Sequence, residues 1–121
     1  MSDQPATAMR ELVVCILNEP DFLNDVLTAM VEAGVPSGTV IETQGMGRIL
    51  SQDVPIFAGF RHLFAGSKPF NHTILAVVDN PEATKKLITL LREVLSEVDS
   101  NAKGVVFSLP VSHFASLNQE P

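Results

Sequence analysis

Apolar and polar positions alternate between two kinds of pattern along this chain, and the alternation occurs twice. Glu11 to Leu17, ELVVCIL, is a short unbroken apolar run, as expected of a strand buried on both faces. In the following NEPDFLNDVLTAMVEAGV, Phe22, Leu23, Val26, Leu27, Met30 and Val31 recur at spacings of three and four, one apolar stripe on a helix. Pro20 suits the first helical position, acidic Glu19, Asp21 and Asp25 suit the positive end of the helix dipole, and Gly34 suits a left-handed cap. The β-branched residues Thr39, Val40, Ile41 and Thr43 predict a second strand.

The second half repeats the plan. His72 to Val78, HTILAVV, is again a buried-type strand. Asn80 is placed to cap the next helix and Pro81 to open it, with Leu87, Leu91, Val94, Leu95 and Val98 as its stripe. GVVFSLPV, Gly104 to Val111, makes a fourth strand that Pro110 weakens. Strand–helix–strand twice over predicts an α+β fold: a ferredoxin-like βαββαβ unit, a four-stranded antiparallel sheet with two helices on one face. A parallel doubly wound sheet fits less well, because nothing clearly helical joins the second and third strands. The domain is expected over residues 11–114, between a disordered tail at 1–10 and a C-terminal tail at 115–121.

Between strands two and three, residues 45–71 form an excursion longer than the roughly 12–15 residues usual for a loop in a compact domain. No clear period follows Arg48, so residues 50–55 are expected to be its most mobile part. Phe57, Phe60, Leu63 and Phe64 are helically spaced, which predicts a short amphipathic helix over 55–65. Its apolar side chains would pack on the parent sheet, on a neighbouring subunit or on a partner protein. The excursion opens with Gly45–Met46–Gly47–Arg48. Two glycines at positive φ would turn backbone amides toward an anion, with the Arg48 guanidinium reaching the same charge.

Composition narrows the function. Fourteen acidic against eight basic residues, net charge −6, argue against nucleic acid, and no apolar run is long enough to insert in a membrane. Lys85, Lys86 and Arg92 read as a solvated helix face. A single Cys15 within an apolar run is a buried small hydrophobe that can make no internal disulfide, which fits a cytoplasmic location. His62, His72 and His113 lack metal-ligand spacing, and no nucleophile, base or carboxylate pair suggests an enzyme.

TVIETQGMGR, residues 39–48, is similar to the Thr-Val-x-Glu-Val-Lys-Gly-Phe-Gly-Arg segment of the PII signal-transduction (nitrogen regulatory) proteins, where their second strand runs into the T-loop. The resemblance implies a non-catalytic homotrimer that binds an adenine nucleotide in clefts between subunits. Its loop would regulate a target such as a membrane transporter or metabolic enzyme. Carried over, Thr39, Gly45, Met46, Gly47 and Arg48 would line one wall, and Leu17 and Val77, at strand ends nearby, would contact a base. SNAKGVVF supplies Gly104 and Phe107 of the opposite wall, the family's B-loop. Val105, however, stands where the family has its phosphate-binding Lys, and Lys103 falls on the other side of the glycine. The C-terminal arginines are replaced by LPVSHF, and the T-loop Tyr has no counterpart. GVVFSLPVSHF looks instead like the end of PII-like cyclic-di-AMP receptors. A divergent PII-like member is therefore expected, with ADP, AMP or cyclic-di-AMP as effector rather than ATP. The alternatives are an adaptor trimer without nucleotide and a metal-binding protein akin to the divalent-cation tolerance family.

Overall fold

The computed structural model describes residues 9–53 and 70–118. The expected helix over 55–65 and most of the expected loop lie outside them. Strands β1 (Glu11–Leu17), β2 (Thr39–Thr43), β3 (Asn71–Val78) and β4 (Gly104–Pro110) form one antiparallel sheet in the order β2-β3-β1-β4. Helices α1 (Leu23–Glu32) and α3 (Pro81–Val94) pack against each other over one face, the ferredoxin-like arrangement.

Local chemistry explains where the helices begin and end. Pro20–Phe22 winds as a 3-10 turn, and the α-helix proper starts at Leu23. At its far end Val35 N–H donates to the Met30 carbonyl at 2.8 Å and Gly34 N–H to Val31 at 3.0 Å. With Gly34 at φ +92°, this is a Schellman cap. Asn80 caps α3 with its side-chain oxygen, accepting from Glu82 N at 2.7 Å and Ala83 N at 3.3 Å, and Pro81 is the first helical residue.

The core lies between sheet and helices. Val13, Leu17 and Ile74 from the strands and Val26 and Leu87 from the helices are at most 1% exposed. Cys15 is buried among them, and loss of solvent raises its thiol pKa to about 11.

Two expectations are corrected. The runs in β1 and β3 are not buried on both faces: burial alternates, with Val13, Cys15 and Leu17 covered and Leu12, Val14 and Ile16 only half-buried. Helices cover just one side of the sheet, so period two reasserts itself. The chain after Gly45 is also not a turn leading into irregular loop. Met46–Asp53 is an α-helix, α2, and Ile49 N–H donates to the Gly45 carbonyl at 3.3 Å. Met46, Ile49 and Leu50 have helical spacing, a signal that the two glycines obscured.

Candidate functional site

Because β1 and β2 both run antiparallel to β3, the C-terminal ends of β1 and β2 meet the N-terminal ends of β3 and β4 at one end of the sheet. Asn18, Thr43–Gly45, Asn71–His72 and Lys103–Gly104 therefore converge there from four distant parts of the sequence.

A polar chain joins them. Asn18 Nδ2 donates to the Ala102 carbonyl at 3.0 Å, and Asn18 Oδ1 accepts from Asn71 Nδ2 at 3.2 Å. Asn71 Oδ1 accepts in turn from the Thr43 hydroxyl, whose oxygen also lies 2.9 Å from Thr73 Oγ1. Asn18 N–H donates to the Lys103 carbonyl at 3.0 Å. His72 Nδ1, at the same end, is shielded from solvent and has no hydrogen-bond partner among the described residues.

Beside this end, α3 leaves β4 uncovered and a cleft of ≈ 410 Å³ opens. Cys15, Leu17, Leu91 and Val106 contribute apolar wall, and Arg92 and Lys103 contribute charge. Neither cation pairs with a carboxylate among the described residues. Gly104, at φ +140°, lets β4 start tight against β1, since a Cβ there would stand 2.2 Å from the Ile16 carbonyl oxygen.

The structure brings together some of the expected site residues and separates others. Leu17 and Gly104 both line the cleft. Gly45, Met46, Gly47 and Arg48 lie at the same end of the sheet, just beyond β2. Positive φ is confined to Gly34 and Gly104 among the described residues, so the expected nest at Gly45 and Gly47 is replaced by the first turn of α2. The amides of that turn precede the helix's first i→i−4 bond, and such groups also attract anions.

Leu17 and Val77 are not neighbours within one chain. Leu17 is opposite His72 in the β1–β3 ladder, and Val77 lies five residues further along β3. That is about 17 Å at the usual strand rise. They also point to opposite faces: Leu17 is in the core, and Val77 is 39% exposed on the uncovered side. Thr39 and Phe107 face that side as well, in register with Leu75 and Val14. Within one chain these three stand apart from the cleft.

The sequence model of the nitrogen regulatory protein P-II family matches residues 10–120. The chain belongs to the P-II family. None of the curated proteins matches it in sequence. Among solved structures, Arabidopsis thaliana PII bound to citrate superposes with a TM-score of 0.60 at 18% identity, covering 87% of this chain and 79% of that one. This likeness supports the ferredoxin-like P-II fold.

Sequence reasoning about this P-II protein overlooked Asn18 and Asn71 and set aside Arg92 and Lys103. Arg92 looked like part of a solvated face and Lys103 like a displaced B-loop lysine, yet both border one cleft. A hint was available for Lys103, which directly precedes the glycine that begins β4. Nothing in the spacing could pair Asn18 with Asn71, 53 residues away.

Proposed function

We propose that this P-II family protein is a non-catalytic, cytoplasmic regulator. Three copies assemble, bind a small anionic effector in clefts between subunits, and signal to a membrane transporter or metabolic enzyme through the segment that follows β2. The observation that carries the reading is the convergence, at one end of the sheet, of the latter part of the family motif, residues 43–48, with Leu17, Lys103 and Gly104 beside a partly cationic cleft. Among the described residues no group of three or more His, Cys, Asp or Glu is placed to hold a metal, and no helix is long and apolar enough to cross a membrane.

The trimer is supported by the uncovered sheet face, where Val105, Phe107 and Leu109 are 58%, 47% and 42% exposed. Copies of the chain packed on that face would bring Thr39, Val77 and Phe107 of one subunit toward the cleft of another. The solved relative's citrate is a small polyanion, consistent with an anionic effector. Our reading favours ADP, AMP or cyclic-di-AMP. Arg92 and Lys103 give two cations at the cleft, and Val105 occupies the place of the family's phosphate-binding Lys, which leaves little to offset a third phosphate.

Isothermal titration with ADP, AMP, cyclic-di-AMP, ATP and citrate tests this directly. ADP, AMP or cyclic-di-AMP is expected to bind more tightly than ATP. Arg48→Ala should weaken that binding by about 1.5–3 kcal/mol, the range for a charge-assisted hydrogen bond. Gly47→Val should weaken it further while leaving the trimer intact, because a β-branched residue crowds the helix turn that faces the ligand. ATP binding best would overturn the nucleotide preference. A trimer that binds none of the panel would favour an adaptor without effector.

A further inference from the structure

We infer that Asn18 and Asn71 act as positioning residues. They form a strut that couples the start of the loop, at Thr43–Gly45, to the turn before β4, at Ala102–Lys103. The inference rests on the effector reading only for its functional consequence; the mechanical coupling stands on the hydrogen bonds themselves.

The strut has a fixed direction. The Ala102 carbonyl can only accept, so it must face the Asn18 amide nitrogen. This turns Asn18 Oδ1 toward Asn71, which must present its own nitrogen. Asn71 Oδ1 is then left to accept from the Thr43 hydroxyl. Reversing either amide would set acceptor against acceptor, and reversing both would face Asn18 Oδ1 with the Ala102 carbonyl. One arrangement satisfies the whole chain, so a shift at one end is felt at the other. The side chains are short and the segments belong to a sheet, which leaves little slack.

Position gives the strut its significance. At one end, Asn18 N–H also bonds Lys103, so the residue grips two successive carbonyls of the turn that ends at Lys103 and Gly104. At the other end, Asn71 Oδ1 accepts from the Thr43 hydroxyl, and the Asn71 amide lies one methyl group's width from Gly45, where a Cβ would stand 3.7 Å from Asn71 Nδ2. An anion drawing Lys103 toward the cleft would pull on the same side chains that hold the start of the loop. The two walls of the proposed site would then move together.

Residue-resolved amide exchange by NMR on the full chain, with no ligand, tests the coupling. Asn71→Ala should speed exchange at the Asn18 and Ala102 amides by about 3- to 10-fold, the effect of losing one net hydrogen bond. Asn71 bonds Asn18 directly but makes no hydrogen bond to Ala102, whose own amide donates to Ser100 Oγ, so a merely local role would leave the Ala102 amide unchanged. Thr43→Val, a milder and nearly isosteric change, should produce the same acceleration to a smaller degree and serves if Asn71→Ala folds poorly. Unchanged exchange at Ala102 in folded Thr43→Val or Asn71→Ala would overturn the strut.

A second arm adds ADP. Saturating ADP should slow exchange over residues 43–50 in the wild type and do so less in Asn71→Ala. Equal protection in both would count against transmission through the strut. If ADP does not bind, AMP or cyclic-di-AMP takes its place in this arm; failure of all three to bind the wild type would defeat the effector reading while leaving the ligand-free result to decide the coupling.

Discussion

The two faces of this sheet are built from similar residues and meet different surroundings. On one, Val13, Leu17 and Ile74 lie beneath α1 and α3 at 1% exposure. On the other, Leu12, Val14, Ile16 and Leu75 are half-buried, and Val77, Val105, Phe107 and Leu109 are exposed. A chain that used only one face would carry polar residues on the second, since an antiparallel sheet with one wet face alternates cleanly. Here the alternation in burial is clear and the alternation in polarity is missing. The unbroken apolar runs thus give the sheet two apolar faces: one closed by the chain's own helices, the other open in the single chain and the surface on which the proposed trimer would form.

The sharpest test of that contrast substitutes one residue on each side. Leu87→Ala truncates a fully buried side chain of α3 and should lower the free energy of unfolding by about 2–5 kcal/mol. Urea denaturation should show the loss at every protein concentration. Phe107→Lys, on the open side, should instead reduce the mass seen by light scattering from trimer toward monomer. It should also remove the concentration dependence of the unfolding midpoint, because stability drawn from association follows mass action. If Phe107→Lys keeps the wild-type assembly, or the wild type is monomeric at micromolar concentration, the open face is not the association surface.

A smaller effect probes how α3 is held over its face. Asn80→Ala removes the side-chain acceptor for two amides and should cost about 1 kcal/mol. Thermal unfolding should show a modest drop in Tm, and light scattering should show no change in assembly.

Smallest of all is a pH effect confined to the helix side. The Cys15 thiol keeps its proton in the folded chain to about pH 11, against an ordinary value of 9.0, because burial disfavours the thiolate. The unfolded chain therefore releases this proton first. Cys15's contribution to stability is complete below pH 9 and declines as pH rises through 11. Comparing wild type with Cys15→Val across pH 8–11 isolates this slope, and parallel curves would show that the thiol is hydrated. A thiol reagent at pH 8 should label native Cys15 only as fast as the chain opens.

Much of the fold could be read along the chain because its signals are local. The bounds of β1 are those of one apolar run, and the caps of α1 and α3 follow from Gly34, Asn80 and Pro81, each interacting within a few residues. The segment 39–48 likewise carried the family likeness in its own letters. Helix α2 was missed because Gly45 and Gly47 outweighed the spacing of Met46, Ile49 and Leu50. Propensity for glycine is unfavourable by only about 1 kcal/mol per residue, small enough for context to override.

What the sequence determined by itself was therefore the order, type and limits of most elements, and the apolar character of both sheet faces. Tertiary structure decided which face the helices cover, because a stripe on a helix does not say which side of a two-sided sheet it will meet. It also decided which residues share the loop end of the sheet. Register set Leu17 opposite His72 and away from Val77, and it brought Asn18, Asn71 and Ala102 together from across the chain. Hydrogen bonds between such residues depend on strand order and pairing, and these emerge only when the whole sheet has formed.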